Sequence, residues 1–151
     1  MLSSLVYANT ILKRALQTDT PLDPMKLQKL LYLTYARTLD KYDELLFPEP
    51  FECWTHGPVV RVVYDAFKCF GGKPIGKFNR DCNNDIVVVS AAHIKFHECF
   101  EEVWREYGEY LAPQLSKLTH QSGTAWSIAQ DSKESFLQRE HIKVDGGKFF
   151  A

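Results

Sequence analysis

Apolar residues recur at intervals of three and four over residues 3–17, at Leu5, Ala8, Leu12, Ala15 and Leu16. That is the period of one helix face. The run Thr18-Asp19-Thr20-Pro21 ends this helix, and Asp23 then stands as an N-cap with Pro24 at the first helical position. A second helix is expected from there to about Lys41. Its stripe is Leu27, Leu30, Leu31, Thr34 and Thr38, widened by Tyr35 and Leu39. So wide an apolar arc marks a helix central to the fold. Lys26, Lys29, Arg37 and Lys41 are assigned to its exposed arc.

Beyond Pro48 and Pro50, Phe51 and Cys53 alternate with Glu52, which predicts a short strand. Pro58 is placed to start a helix through Val59, Val60, Val62, Val63, Tyr64 and Phe67, stopped by Gly71-Gly72. Its β-branched residues lower helix propensity, but Asp65-Ala66-Phe67-Lys68 favours helix over strand. Residues 71–85 read as a loop, and Ile86 to Val89 as a short buried strand that could pair with the one near Phe51. Ser90 is expected to cap a long helix whose inner face is Phe96, Cys99, Phe100, Val103, Trp104 and Tyr107, closed by Gly108. Pro113 begins a short helix through Leu115 and Leu118. The loop Thr119–Gly123 leads to another turn or two at Thr124–Ala129. Gly146-Gly147 argues against a regular element at the end of the tail. The expected architecture is mainly α with a small antiparallel β element (α+β), a single compact helical domain over residues 1–151. Leu30, Leu31, Phe100 and Trp104 are expected in its core.

Composition narrows the function classes. With 45% hydrophobic and 25% charged residues, the chain is globular in make-up rather than disordered, collagenous or coiled-coil. A net charge of −1 lacks the basic excess of a strong nucleic-acid binder, so direct nucleic-acid binding is not expected. No apolar run approaches the ~20 residues of a membrane span, so no membrane partner is expected. Met1-Leu2-Ser3-Ser4 carries no basic residue ahead of the apolar stretch, so no signal peptide is expected. The four cysteines, at 53, 69, 82 and 99, form no C-x-x-C pair, which excludes a zinc ribbon. They read as reduced thiols of a cytoplasmic protein, with Cys53, Cys69 and Cys99 as small buried hydrophobes.

Candidate chemistry is sparse. His93 and His97 stand at i and i+4 and could share a metal, with Cys82 or His56 completing the shell from afar, but the H-E-x-x-H pattern is missing. No G-x-S-x-G, phosphate-cradling loop or G-x-G-x-x-G occurs. A non-enzyme without metal or cofactor is expected; the alternative is a metal-dependent enzyme using Cys82, His93 and His97. Charge is bipolar along the chain. Residues 1–41 carry Lys13, Arg14, Lys26, Lys29, Arg37 and Lys41 against three aspartates, whereas residues 93–110 carry five glutamates against Lys95 and Arg105. This reads either as two solvated helix faces or as a charged docking surface for a protein partner. Two segments look over-specified for packing, Trp54-Thr55-His56-Gly57-Pro58-Val59-Val60 and Leu118-Thr119-His120-Gln121-Ser122-Gly123-Thr124-Ala125-Trp126. Each sets an aromatic and a histidine at a glycine turn. Turn geometry with core tryptophans is one reading, and an interface hot spot is the other.

The same segments carry a family resemblance. Lys26-Leu27-Gln28-Lys29-Leu30-Leu31-Tyr32 resembles the opening helix of the Panacea-domain family, also called phage-associated GepA-like proteins. The second block is matched by Trp54, Gly57-Pro58-Val59, Val63-Tyr64 and Phe67. The third is matched by Val103, Tyr107-Gly108, Leu115, Leu118-Thr119-His120 and Trp126. The match covers about residues 5–130 and not the tail. His56 stands where an aromatic is common, and Ala125 where a proline usually precedes the tryptophan. The resemblance implies an antitoxin of a bacterial, often prophage-borne, toxin–antitoxin pair, mostly helical with a small sheet. Such a protein neutralises a cognate protein toxin by direct binding, or else acts as an adaptor that delivers it to a protease. The expected partner surface is the turn Thr55, His56, Gly57 and Pro58 with Arg61, steered by Lys26, Lys29 and Arg37. His120 and Trp126 are the alternative face, and a homo-oligomer is left open.

Overall fold

The computed structural model describes residues 1–150. Polar side chains start the first two helices. The Ser3 hydroxyl accepts the Leu5 amide at the head of α1 (Ser4–Gln17). The Asp23 carboxylate accepts the Lys26 amide at the head of α2 (Pro24–Tyr42), with Pro24 in its first turn. A hairpin follows: β1 (Glu52–Trp54) pairs antiparallel with β2 (Gly57–Val59), Glu52 opposite Val59 and Trp54 opposite Gly57. Next come α3 (Arg61–Phe67) and one 3₁₀ turn (Lys68–Phe70). The chain continues with α4 (Ile94–Tyr107), α5 (Ala112–Thr119), α6 (Ala125–Asp131) and α7 (Arg139–Lys148). The fold is thus mainly helical with a two-stranded antiparallel sheet. No helix among the described residues is long and apolar enough to cross a membrane.

α2 is the axle of the fold. α1, α3, α4, α5, α7 and β2 all pack against it. Leu30, Leu31 and Phe100 are buried, as expected, while Trp104 is only half-buried at the rim. At its C-terminal half, Tyr35 meets Phe47 and Phe51 at ring-centroid distances of 4.8 and 5.1 Å, aromatic contacts that add specific geometry to area burial.

The structure corrects several expectations. Residues 86–89 form no strand, because α1 side chains take their backbone groups: Asn9 donates to the Val87 carbonyl at 3.2 Å, and the Val89 amide donates to Thr10 at 2.9 Å. With those groups satisfied, a ladder partner is not needed. β1 instead pairs with β2, and on its other side it meets the tail. There the Cys53 amide donates to the Ser135 carbonyl at 2.8 Å and the Leu137 amide to the Phe51 carbonyl at 3.0 Å. Pro58 therefore sits in a strand, and the helix begins at Arg61. His93, not Ser90, is the N-cap of α4. Leu16 and Cys69 are exposed rather than inward.

The tail carries the largest correction. α7 runs through Gly146-Gly147 and packs on α2. The Tyr32 hydroxyl donates to Asp145 at 2.5 Å, and the Ala125 amide donates to the same carboxylate at 3.1 Å. At Gly146 the helices approach so closely that a Cβ would lie 1.9 Å from the Ala36 carbonyl oxygen. The glycine that suggested an irregular end is what permits the crossing.

Candidate functional site

The turn of the hairpin, Thr55–His56, projects from the sheet, and side chains from three helices hold it from behind. Trp126 of α6 donates its indole N–H to the Trp54 carbonyl at 2.7 Å. His120, at the end of α5, donates from Nε2 to the Thr55 carbonyl at 2.9 Å, and Ser116 Oγ donates to the His56 carbonyl at 2.7 Å. From α2, Lys29 Nζ donates to the Pro58 carbonyl at 2.9 Å. The Gln28 amide makes a two-way pair with Val60, donating at 3.1 Å and accepting at 3.0 Å. Gly57 has φ +121°, and a Cβ there would lie 2.6 Å from Lys29 Cε and 2.8 Å from Thr119 Oγ1. Only glycine combines that backbone with that passage. Lys26 extends the clamp: its Nζ donates at 2.6 Å to the carbonyl of Gly108, the C-cap of α4, where a cation also meets the negative end of the helix dipole.

Lys26 and Lys29 were expected on an exposed arc, but they are 4% and 1% exposed. Burial drives the Lys29 pKa down to about 7 and also lowers that of Lys26. Both lysines are staples, and neither offers steering charge to solvent. Three further cations of the bipolar pattern close on its acids. Arg37 pairs with Glu102 at 2.6 Å, Lys41 with Glu98 and Glu102 at 2.7 and 2.6 Å, and Arg14 with Glu101. Arg14, Arg37 and Lys41 are thus zipped to Glu98, Glu101 and Glu102 of α4, while Lys13 stays exposed. Arg37 also stacks over Phe150 at 4.8 Å, away from the turn.

The side of the hairpin facing solvent is built differently. Thr55 and His56 are exposed, and Trp54 is half-buried. Arg61 forks onto Glu52 at 2.9 and 3.0 Å and lies over the Trp54 ring at 5.0 Å. The Trp54 ring in turn meets Tyr64 edge-on at 4.7 Å. Between the head of α2, the turn and α3 opens a groove of about 600 Å³, with Leu27, Gln28, Trp54, His56, Val63 and Tyr64 among its walls. Tryptophan, tyrosine and arginine beside apolar walls are the residue types that dominate binding energy in protein interfaces.

The expected site residues thus separate. Thr55, His56, Gly57, Pro58, Arg61, His120 and Trp126 come together, with the last two behind the turn rather than on a second face. Gln28, Ser116 and Glu52 belong to the same arrangement and were missed. Three polar residues among four at Lys26-Leu27-Gln28-Lys29 next to a wide apolar stripe was the one signal that some of them face inward. The metal candidates lie elsewhere. His93 Nδ1 accepts the Phe96 amide at 3.4 Å, His97 Nε2 pairs with the Ser90 carbonyl at 2.9 Å, and Cys82 is on an exposed loop. Among the described residues no three His, Cys, Asp or Glu side chains gather as a metal-holding group.

Comparison with known proteins bears on this arrangement. A family model described as "Antitoxin SocA-like, Panacea domain" matches residues 27–127, a window that opens in the α2 clamp and closes just past Trp126. Antitoxin SocA of Caulobacter vibrioides (strain NA1000 / CB15N) is 36% identical over 129 residues, covering 80% of this chain. The chain spans 66% of the length of that relative. No solved structure matches this chain. With the family model covering well over half of its residues, the chain belongs to the SocA-like, Panacea-domain antitoxin family.

Proposed function

We propose that this protein is an antitoxin that neutralises a cognate protein toxin by direct binding, and that the toxin is contacted by the hairpin turn and the groove beside it. The observation that carries this reading is the turn itself. Its carbonyls at Trp54, Thr55 and His56 are each held by a side chain from α5 or α6. Its outer side presents Thr55, His56 and Arg61 next to Trp54 and Tyr64. A loop fixed in this way loses little freedom on binding, which favours affinity. The membership of an antitoxin family and the name of the relative support the same reading. Lys26, Lys29, His120 and Trp126 then act by holding the face, not by touching the toxin. With all four thiols free, the chain suits a reducing cytoplasm.

The test is a growth assay. Each reading frame adjacent to this gene is expressed in a bacterial host with and without this protein. One neighbour should arrest growth, and the parent chain should restore it. The His56→Ala, Arg61→Glu double variant, with an unchanged circular dichroism spectrum, should restore it poorly or not at all. If the parent rescues no neighbour, the antitoxin reading is wrong. If the folded double variant protects as well as the parent, the contact face lies elsewhere.

A further inference from the structure

A second groove, of about 700 Å³, opens on the other side of α3, between that helix and the segment that follows it. Its apolar surface comes from Ala66, Phe67, Phe70, Phe78 and Ile86. Phe67 lines both grooves, so α3 with its 3₁₀ turn is a ridge between two concave surfaces. The ridge itself exposes Val62 and Tyr64. The charged residues that line the second groove are Lys77 and Arg80, with no acid among them. Residues 68–86 carry Lys68, Lys73, Lys77 and Arg80 against Asp81 and Asp85, a basic excess in a chain whose net charge is −1.

These cations differ from those of α1 and α2. Lys68 has one exposed partner, Asp65, at 3.4 Å, and Arg80 donates to a backbone carbonyl, that of Asn84, at 2.9 Å. Among the described residues Lys73 and Lys77 have no ion-pair partner. The acids downstream, Asp81 and Asp85, do not line the groove; Asp81 accepts the amides of Asn83 and Asp85 at 2.9 Å within its own turn. The segment is nevertheless held in place. Asn9 of α1 donates to the Asn79 carbonyl and accepts the Asn79 amide, both at 2.9 Å, and the Ile75 amide donates to the Leu22 carbonyl at 2.8 Å. A fixed basic rim around an apolar groove is a complement in shape and charge to apolar residues flanked by carboxylates.

We infer that the groove between α3 and residues 70–86 is a docking site for an acidic, apolar segment of the partner protein: hydrophobic side chains seat on Phe70, Phe78 and Ile86, while aspartates or glutamates meet Lys77 and Arg80. The inference rests on the antitoxin reading for the identity of that partner, the toxin, but its chemistry is fixed by the groove alone. A nucleic acid would also answer to the charge. The apolar floor and the absence of an aromatic stacking platform other than two half-buried phenylalanines favour a peptide chain.

The experiment is a selection of phage-displayed random dodecapeptides on the purified full chain. It is run in parallel on the Lys77→Glu variant, whose change is at an exposed position and should leave the melting curve unaltered. Peptides enriched on the parent should carry aspartate or glutamate next to leucine, phenylalanine or tryptophan. A synthetic copy of the most enriched one should bind the variant at least tenfold more weakly by calorimetry. Its affinity for the parent should also fall as sodium chloride is raised from 50 to 500 mM, since exposed charges are screened. Enrichment of neutral peptides, no enrichment, or equal binding to the variant overturns the inference. So does displacement of the peptide by a 20-nucleotide single strand at 150 mM salt, which makes the rim a nucleic-acid site. Peptide selection needs no toxin. Its failure beside a successful growth assay removes only this inference, and its success beside a failed growth assay removes only the antitoxin reading.

Discussion

Replacing Gly146 with alanine tests the packing of the tail through the sign of the effect. In an α-helix interior, glycine to alanine is favourable by about 1 kcal/mol on propensity alone. In the structure, however, the added Cβ would lie 1.9 Å from the Ala36 carbonyl oxygen and 2.9 Å from Asp40 Cβ. Both α2 and the Ala36 carbonyl are backbone, so α7 must move away. Forcing one extra methyl into a packed contact costs roughly 1–3 kcal/mol. The displacement also strains the hydrogen bond from Tyr32 to Asp145, and a bond to a charged group is worth about 1.5–3 kcal/mol. Set against the propensity gain, the net destabilisation is about 1.5–5 kcal/mol, and at 2–4 °C per kcal/mol for a chain of this size the midpoint should fall by roughly 3–20 °C. Thermal melts followed by circular dichroism at 222 nm measure this directly. Gly147→Ala is the control, because its Cβ would meet only the Asp40 side chain, at 3.4 Å, and its midpoint should move little. A midpoint for Gly146→Ala equal to or above that of the parent would show that α7 does not lie against α2 as described.

Other expectations follow from the clamp. Lys29 has a folded-state pKa near 7, below its unfolded value, so between pH 7 and 10 the unfolded chain binds the extra proton and stability rises with pH, by up to about 1.4 kcal/mol per unit; urea melts at pH 7, 8 and 9 should show that slope in the parent and lose it in Lys29→Met. Gln28→Ala removes both hydrogen bonds to Val60 and leaves its buried amide unpaired, while the carbonyl keeps the Tyr64 amide at 3.0 Å, so urea denaturation should register a loss of about 1–3 kcal/mol. Trp126→Phe keeps a ring but removes the donor to the Trp54 carbonyl, and the same assay should show a loss of about 1–3 kcal/mol. Arg61→Ala, by contrast, deletes a pair whose arginine is 60% exposed, so stability should change by less than about 1 kcal/mol while toxin binding weakens.

Much of the helical framework was legible because its signals are local. Asp23-Pro24 and the three-four spacing of α1, α2 and α4 each act over one or two turns, and the helices stand where those signals put them. What failed depended on partners distant in sequence. Val87 and Val89 look like a strand, but Asn9 and Thr10, nearly eighty residues earlier, take the backbone groups that a strand would use. Gly146 looks like a breaker until Ala36 is known to pass beside it. The lysines of α2 misled for a related reason. Polar residues flanking an apolar stripe are normally solvated, and only the hairpin over Lys29 and the end of α4 over Lys26 make them interior. The turn at Thr55–His56 and the importance of Gly57, His120 and Trp126 were visible as an unusual concentration of special residues. Their mutual hydrogen bonds were not, because α5 and α6 reach the turn only through the tertiary fold.

The central claim is that a clamped turn and the two grooves flanking α3 form the face that meets the toxin. Hydrogen–deuterium exchange, read by mass spectrometry on this protein alone and in complex with the toxic product of the adjacent reading frame, addresses it most directly. The account predicts slower exchange on binding in residues 54–64 and 68–80, with α4 and α7 unchanged. Protection confined to α4, α7 or the outer side of α1, with the turn and the basic segment exchanging as freely as before, would contradict it.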